Sequence, residues 1–164
     1  MQIMHSDTRP DSPAYRERLS PSLWTLVAAA LCAPMVALVL SPVDTTLALV
    51  GGALVSVLII AALVAASPVV AVAGGELRAG RAHIPTALLG EPVALTGEDA
   101  AAARGRDLDP RAWLLLRGGI GGVVVVPVLD AEDPVPYWVI ASRTPDRLAA
   151  VLRRERVTPR TPRR

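Results

Sequence analysis

The residues that could do chemistry in this chain are few and scattered. The stretch closest to a phosphate loop is "GGIGG", Gly118 to Gly122. A dinucleotide fingerprint needs G-x-G-x-x-G opening a helix, so that backbone N–H groups meet the pyrophosphate. Counted from Gly119, Val124 stands where the last glycine belongs, and the β-branched run after it reads as a strand. The chain has no Lys, which removes a P-loop. "GGIGG" is therefore read as a turn. His83 would work as a base with a carboxylate beside it, but its sequence neighbours are Ala82 and Ile84, and it is read as a strand histidine of mixed exposure. Asp107, Asp109, Asp130, Glu132 and Asp133 form two acidic loops. Their spacing fits no EF-hand loop, and they are read as solvated charge. His5 and His83 are far apart and Cys32 is the single cysteine, so no internal disulfide or multi-cysteine zinc site is expected. No cofactor, no metal and no catalytic set is expected, and the chain is read as non-enzymatic.

Charge gives a second kind of candidate. All 17 basic residues are Arg and the net charge is only +2, so the distribution is what informs. "RRERVTPRTPRR", from Arg153, holds six Arg and one Glu. Such a cluster attracts anionic headgroups by about 1 kcal/mol per Arg near a bilayer; nucleic acid is the other polyanion. The half of the chain that follows the apolar runs lacks a platform of aromatic side chains for stacking bases, so lipid is favoured over nucleic acid, with a plain solvated tail as the alternative. Tyr137 and Trp138 are adjacent in a strand candidate and face opposite sides. If Trp138 is core, Tyr137 lies against Pro136 on a contact surface; the alternative is that both pack around a proline turn. The candidate contacts for lipid or a partner are Arg16, Arg18, Tyr137, Arg153, Arg154 and Arg156.

The elements that must position these residues begin with two oily runs. From Leu19 to Gly75 the only charged residue is Asp44. Ser22–Ser41 and Thr46–Ala66 are each about 20 residues long, enough to cross a hydrocarbon core of about 30 Å as helices. One charge at a helix centre would cost about 2.5–3.5 kcal/mol. "SPVD" separates the runs, which predicts an antiparallel hairpin, and Pro34 predicts a kink in the first helix. Three Arg precede the runs, fourteen follow and none lies between, which predicts a membrane protein with both termini cytoplasmic and Asp44 outside. Arg16 and Arg18 then hold the amino end, and Tyr15 and Trp24 fit the headgroup belt. The alternative is that "YRER" is a recognition motif. Cys32 is read as a small buried hydrophobe. Ala29, Ala33 and Ala37 in the first run, and Ala48, Gly52 and Ser56 in the second, recur at helical spacing and would let helices approach closely.

After Ser67-Pro68 the chain changes character. "VVAVAGGELRAGRAHIP" reads as a strand, a Gly74–Gly75 turn and a second strand. "EPVALTG" is a short strand. "EDAAAARGRDLDP" reads as one helical turn followed by a polar loop. "AWLLLR" is either a strand or a buried helical turn. "VVVVPVLD" is a strand in which Pro127 favours an edge or bulge, and "YWVIAS" is a strand antiparallel to it. "TPDRLAAVLRRER" is a helix, with Thr144 as N-cap, Pro145 at its first position and Leu148, Val151 and Leu152 on one face. The expected layout is an N-terminal cytoplasmic arm over 1–21, a transmembrane helical hairpin over 22–66, a small cytoplasmic α+β domain over 69–156, and a basic disordered tail over 157–164. Antiparallel strands closed by a C-terminal helix are analogous, at fold level only, to a pleckstrin-homology-like barrel.

"YRERL", "GGELRAGRAHIP", "ARGRDLDPRAWLLLR" and above all "DPVPYWVIASRTPDRLAAVL" resemble an actinobacterial membrane-protein family known as domain of unknown function 3093. The likeness runs from about Tyr15 to Leu152. It implies a two-pass membrane protein with a cytoplasmic domain and implies no activity. The expected role is a membrane-anchored adaptor that binds anionic lipid or an unidentified protein partner. The alternative is an accessory subunit whose hairpin packs into a larger transporter or envelope enzyme.

Overall fold

The computed structural model describes residues 13–157. His5, Arg9 and the expected basic tail, apart from Val157, lie outside the described residues. The described chain divides into two compact units that are not contiguous in sequence. One is a helical hairpin, Arg18–Pro68, joined by the loop Leu116–Ile120. The other, an αβ unit, contains the strands, from residues up to Glu17, Val69–Leu115 and the chain from Gly121 onward.

In the hairpin, α1 (Leu23–Ala30) and α2 (Cys32–Leu40) together run against α3 (Thr45–Ala65). Both arms are long and apolar enough to cross a membrane. The first arm is interrupted at Leu31. A proline ring clashes with the carbonyl four residues earlier, and for Pro34 that is Ala30, so the break falls one turn before the proline. Ser22 Oγ accepts from the Thr25 backbone N–H at 3.2 Å and starts α1; Asp44 accepts from the Leu47 N–H at 2.7 Å and starts α3. The residues of α3 that are buried are Ala48, Gly52 and Ser56, one residue per turn on one stripe. A Cβ on Gly52 would strike the backbone carbonyl of Ala33, so only glycine permits the approach. Ser56 Oγ donates to the Ala29 carbonyl at 3.2 Å. The small-residue ridges of the two arms thus face each other within the hairpin. Cys32 is only half-buried, with Sγ 3.8 Å from the Ala28 carbonyl, which corrects its reading as a buried hydrophobe.

The αβ unit contains two four-stranded sheets. The first has the order β1-β2-β3-β4, from β1 (Tyr15–Arg18), β2 (Val69–Ala73), β3 (Glu76–Ala79) and β4 (Ala82–Pro85). The second strand expected after Gly74–Gly75 runs only through Ala79, with Leu77 and Ala79 buried; the chain then reverses at Gly80–Arg81 into β4. Two strands stand where one was expected. β1 falls within the expected N-terminal arm. The second sheet has the order β5-β7-β8-β6, from β5 (Val93–Leu95), β6 (Trp113–Leu115), β7 (Val123–Pro127) and β8 (Tyr137–Ala141). β7 and β8 are antiparallel, as expected, but β6 runs parallel to β8. A simple antiparallel meander closed by a helix would have no such pair, so the barrel analogy does not describe this sheet. β7 is an interior strand, not an edge. Pro127 is accommodated because it ends the strand, beyond the last β5 pair at Val125.

β7 and β8 are buried on both faces, which is why they read as unbroken apolar runs. Val123 and Val139 pack with Ala100 of α4 (Gly97–Arg104), ringed by Leu95, Ala103, Leu108, Val125 and Tyr137. α4 is two turns rather than one, with Glu98 and Asp99 at its positive end and Arg104 at its negative end. The other face carries Val124, Val126, Trp138 and Ile140, all buried. Trp113 meets Trp138 across the parallel pair, centroids 4.4 Å apart. α5 (Pro145–Val157) packs against β5 and β7 and buries Leu148, Ala149 and Leu152.

Candidate functional site

"YRER" forms β1, and successive strand residues face opposite sides. Tyr15 and Glu17 therefore share one face, and Arg16 and Arg18 the exposed other. Tyr15 is 4% exposed and donates from Oη to Glu17 Oε2 at 2.5 Å. It also lies 3.1 Å from Ser142 Oγ and 2.9 Å from Thr144 Oγ1. Ser142 donates to the same Glu17 oxygen at 2.7 Å, and the Arg143 backbone N–H donates to Glu17 Oε1 at 2.8 Å. The Arg143 guanidinium stands 3.9 Å from Glu17 Oε1, whose side chain is 13% exposed. A carboxylate with this little solvent must be satisfied internally, and here three donors satisfy it. Burial raises the Tyr15 pKa, and donation to Glu17 raises it further, while the Ser142 and Thr144 hydroxyls oppose the shift. Tyr15 is thus held as a protonated donor. This corrects its expected place in a headgroup belt; Trp24 is 82% exposed at the start of α1. The network joins the first strand to the β8–α5 turn across 125 residues. The period-two alternation in "YRER" was its only sequence signal.

The basic candidates fall on different elements. Arg18 donates from Nη2 to the Val64 carbonyl at 2.7 Å, at the C-terminal end of α3. Arg16 is exposed on β1 and Arg154 on α5. Arg153 donates to Glu91 Oε1 at 2.5 Å and to the Pro92 carbonyl at 3.0 Å, and Arg156 Nη1 donates to Glu91 Oε2 at 2.9 Å. Hydrogen bonding from Arg153 is the main reason that the Glu91 carboxyl sits below its usual range. These two arginines fasten α5 to the loop before β5.

Tyr137 is half-buried. Its Oη accepts from the Asp109 N–H at 2.7 Å, and the ring borders an apolar groove with Val93, Leu95, Ala102, Ala103 and Val125. The groove holds about 460 Å³, and Asp99, Arg106 and Asp107 stand at its polar margin. Trp138, on the opposite face, is core. Pro136 instead accepts on its carbonyl from the Val128 N–H at 3.0 Å.

The acidic loops are tied locally. Asp109 accepts from the Arg111 backbone N–H at 2.8 Å and from its guanidinium, which depresses the Asp109 carboxyl. Asp130 and Asp133 each accept from a backbone N–H two residues on. Among the described residues, no group of three His, Cys, Asp or Glu could hold a metal. His83 is exposed with Nε2 4.0 Å from Glu76, a carboxylate it shares with Arg78. Pairing of β3 with β4 creates that proximity.

Residues 14–152 match the family described as "Protein of unknown function (DUF3093)". No curated protein and no solved structure matches the chain. The match covers both arms of the hairpin, both sheets and most of α5, including the two halves of the Glu17 network, and the chain belongs to the DUF3093 family.

Proposed function

We propose that this chain is a two-pass membrane protein that displays its αβ unit at the cytoplasmic face as a non-enzymatic binding module. One observation carries the reading. The outer surface of the hairpin is lined with Leu and Val, including Leu38, Val39, Leu47, Leu49, Val50, Leu54, Val57 and Leu58, all exposed. Contiguous apolar surface of that extent is costly in water and natural in lipid. The sidedness rests on the Arg distribution across the runs. The binding role rests on the groove beside Tyr137 and on Arg16 and Arg154, with a protein partner or anionic lipid as ligand. An accessory subunit would pack into its partner through the small-residue stripe, and Ala48, Gly52 and Ser56 are already buried within the hairpin, which weighs against that alternative.

The test is alkaline carbonate extraction of membranes from cells making the full-length chain, with reporters fused at Asp44 and at the C-terminus. Retention in the pellet, with only the C-terminal reporter active in the cytoplasm, is expected. Release into the supernatant would end the membrane reading. Purified protein with catalytic turnover would end the non-enzymatic one.

A further inference from the structure

The hairpin carries a small cavity at the end where α1 begins. It holds about 190 Å³ and is lined by Pro21, Ser22, Thr25, Leu63, Arg117 and Gly118. Arg117 is the only charged side chain among them. It is half-buried, and among the described residues no hydrogen bond or ion pair engages its guanidinium. The loop that carries it is seated closely on α1: Gly119 has φ +83°, and a Cβ there would lie 2.5 Å from Ser22 Cβ. The two hydroxyls beside Arg117 are 2.8 Å apart, with Ser22 Oγ also accepting from the Thr25 N–H. One hydrogen bond joins the pair, so one O–H remains to donate outward. Among the described residues, no carboxylate lines the cavity.

A guanidinium fork and a spare hydroxyl donor match a group that has several acceptor oxygens and negative charge. We propose that this cavity binds the phosphate of an anionic phospholipid headgroup, with Arg117 paired to its non-bridging oxygens and Thr25 donating to the same group. The inference rests on the membrane reading of the hairpin. Lipid is favoured over free phosphate because the cavity lies at the end of an apolar arm. Trp24, an amphipathic ring suited to the headgroup layer, is exposed next to Thr25.

The test uses the full-length protein in a neutral detergent, given equal amounts of phosphatidylglycerol and phosphatidylcholine, with retained lipid counted by native mass spectrometry. One phosphatidylglycerol per chain is expected. Arg117→Gln should lower its retention about tenfold, the size of a lost charge-assisted hydrogen-bonded pair. Thr25→Val, which changes no charge, should lower it about threefold, and it carries the test if Arg117→Gln does not fold. Arg81→Gln, at the exposed turn between β3 and β4, should leave it unchanged. Undiminished retention in both cavity variants overturns the site, as does an equal loss in Arg81→Gln, which would mean diffuse attraction. Displacement of the lipid by excess inorganic phosphate overturns the lipid assignment. Carbonate extraction separates the two ideas: a protein that stays in the membrane but whose lipid retention ignores Arg117 defeats this inference alone.

Discussion

The hairpin and the αβ unit distribute side-chain size in opposite ways. In the αβ unit the large aliphatics Leu77, Leu89, Ile140, Leu148 and Leu152 are fully buried, while charged residues such as Arg78, Arg81 and Arg154 are outside. In the hairpin the interior of α3 is Ala48, Gly52 and Ser56, and the outside is Leu and Val. A sheet packed in water gains by burying apolar area, about 25 cal/mol per Å². Two helices in lipid gain nothing from burying Leu and associate through close backbone approach and interhelical hydrogen bonds. The inverted pattern is what that second solvent would select, and it supports the proposed membrane anchor.

Substitutions can break this contrast. The largest effect is expected from Leu148→Ala in α5, where deleting a fully buried leucine should cost about 2–5 kcal/mol. Leu54→Ala, on the outer face of α3, should change stability by less than about 0.5 kcal/mol in detergent. Thermal unfolding of both variants checks the pair; a large cost at Leu54 would mean that its surface is covered by protein. Next comes Gly52→Ala, in which one methyl group meets the Ala33 carbonyl and should cost about 1–3 kcal/mol. A smaller change with full retention of hairpin helicity would show that the arms are not closely packed.

Glu17→Gln should cost about 1–3 kcal/mol, because Tyr15, Ser142 and the Arg143 N–H lose their charged acceptor. The loss should appear as faster amide exchange at Arg143, with α3 unaffected. Tyr15 also gives a pH dependence. Its folded pKa lies above its unfolded value of about 10. Its contribution is therefore fully present below about pH 10 and is lost as pH rises through the folded value. Tyr15→Phe should flatten the alkaline fall in stability seen in urea titrations. The smallest effect belongs to Glu91, which is exposed. Its folded pKa is lowered by Arg153 and Arg156, so its contribution is present above its unfolded value and is lost as pH falls through the folded one. Glu91→Gln should shift the melting temperature slightly at neutral pH and low salt, and not at all in strong acid or high salt.

The legible parts were those written in local pattern. The hairpin link, the β7–β8 pair and α5 follow from charge gaps, β-branched runs and capping residues within a few positions of each other. Pro34 foretold the interruption that appears at Leu31. The misread or undecided parts depended on what lies across from a residue. "RAGRAHIP" was misread because Gly80–Arg81 turns and makes two strands of it, and "AWLLLR", left open between strand and helical turn, is a strand because it pairs with β8. Of the candidate contacts, Arg153 and Arg156 proved to clamp Glu91, a residue more than sixty positions away.

Sequence alone determined where this chain is oily, how long each oily run is, and where small residues and turn residues fall, because those depend on composition and on the fixed rise and period of helix and strand. Only the tertiary structure decided that the two small-residue stripes face each other, that β6 joins β8 in parallel, that Tyr15 and Glu17 meet Ser142, and that Arg117 lines a cavity with Ser22 and Thr25. Those depend on which distant surfaces come together, and no local period encodes the partner.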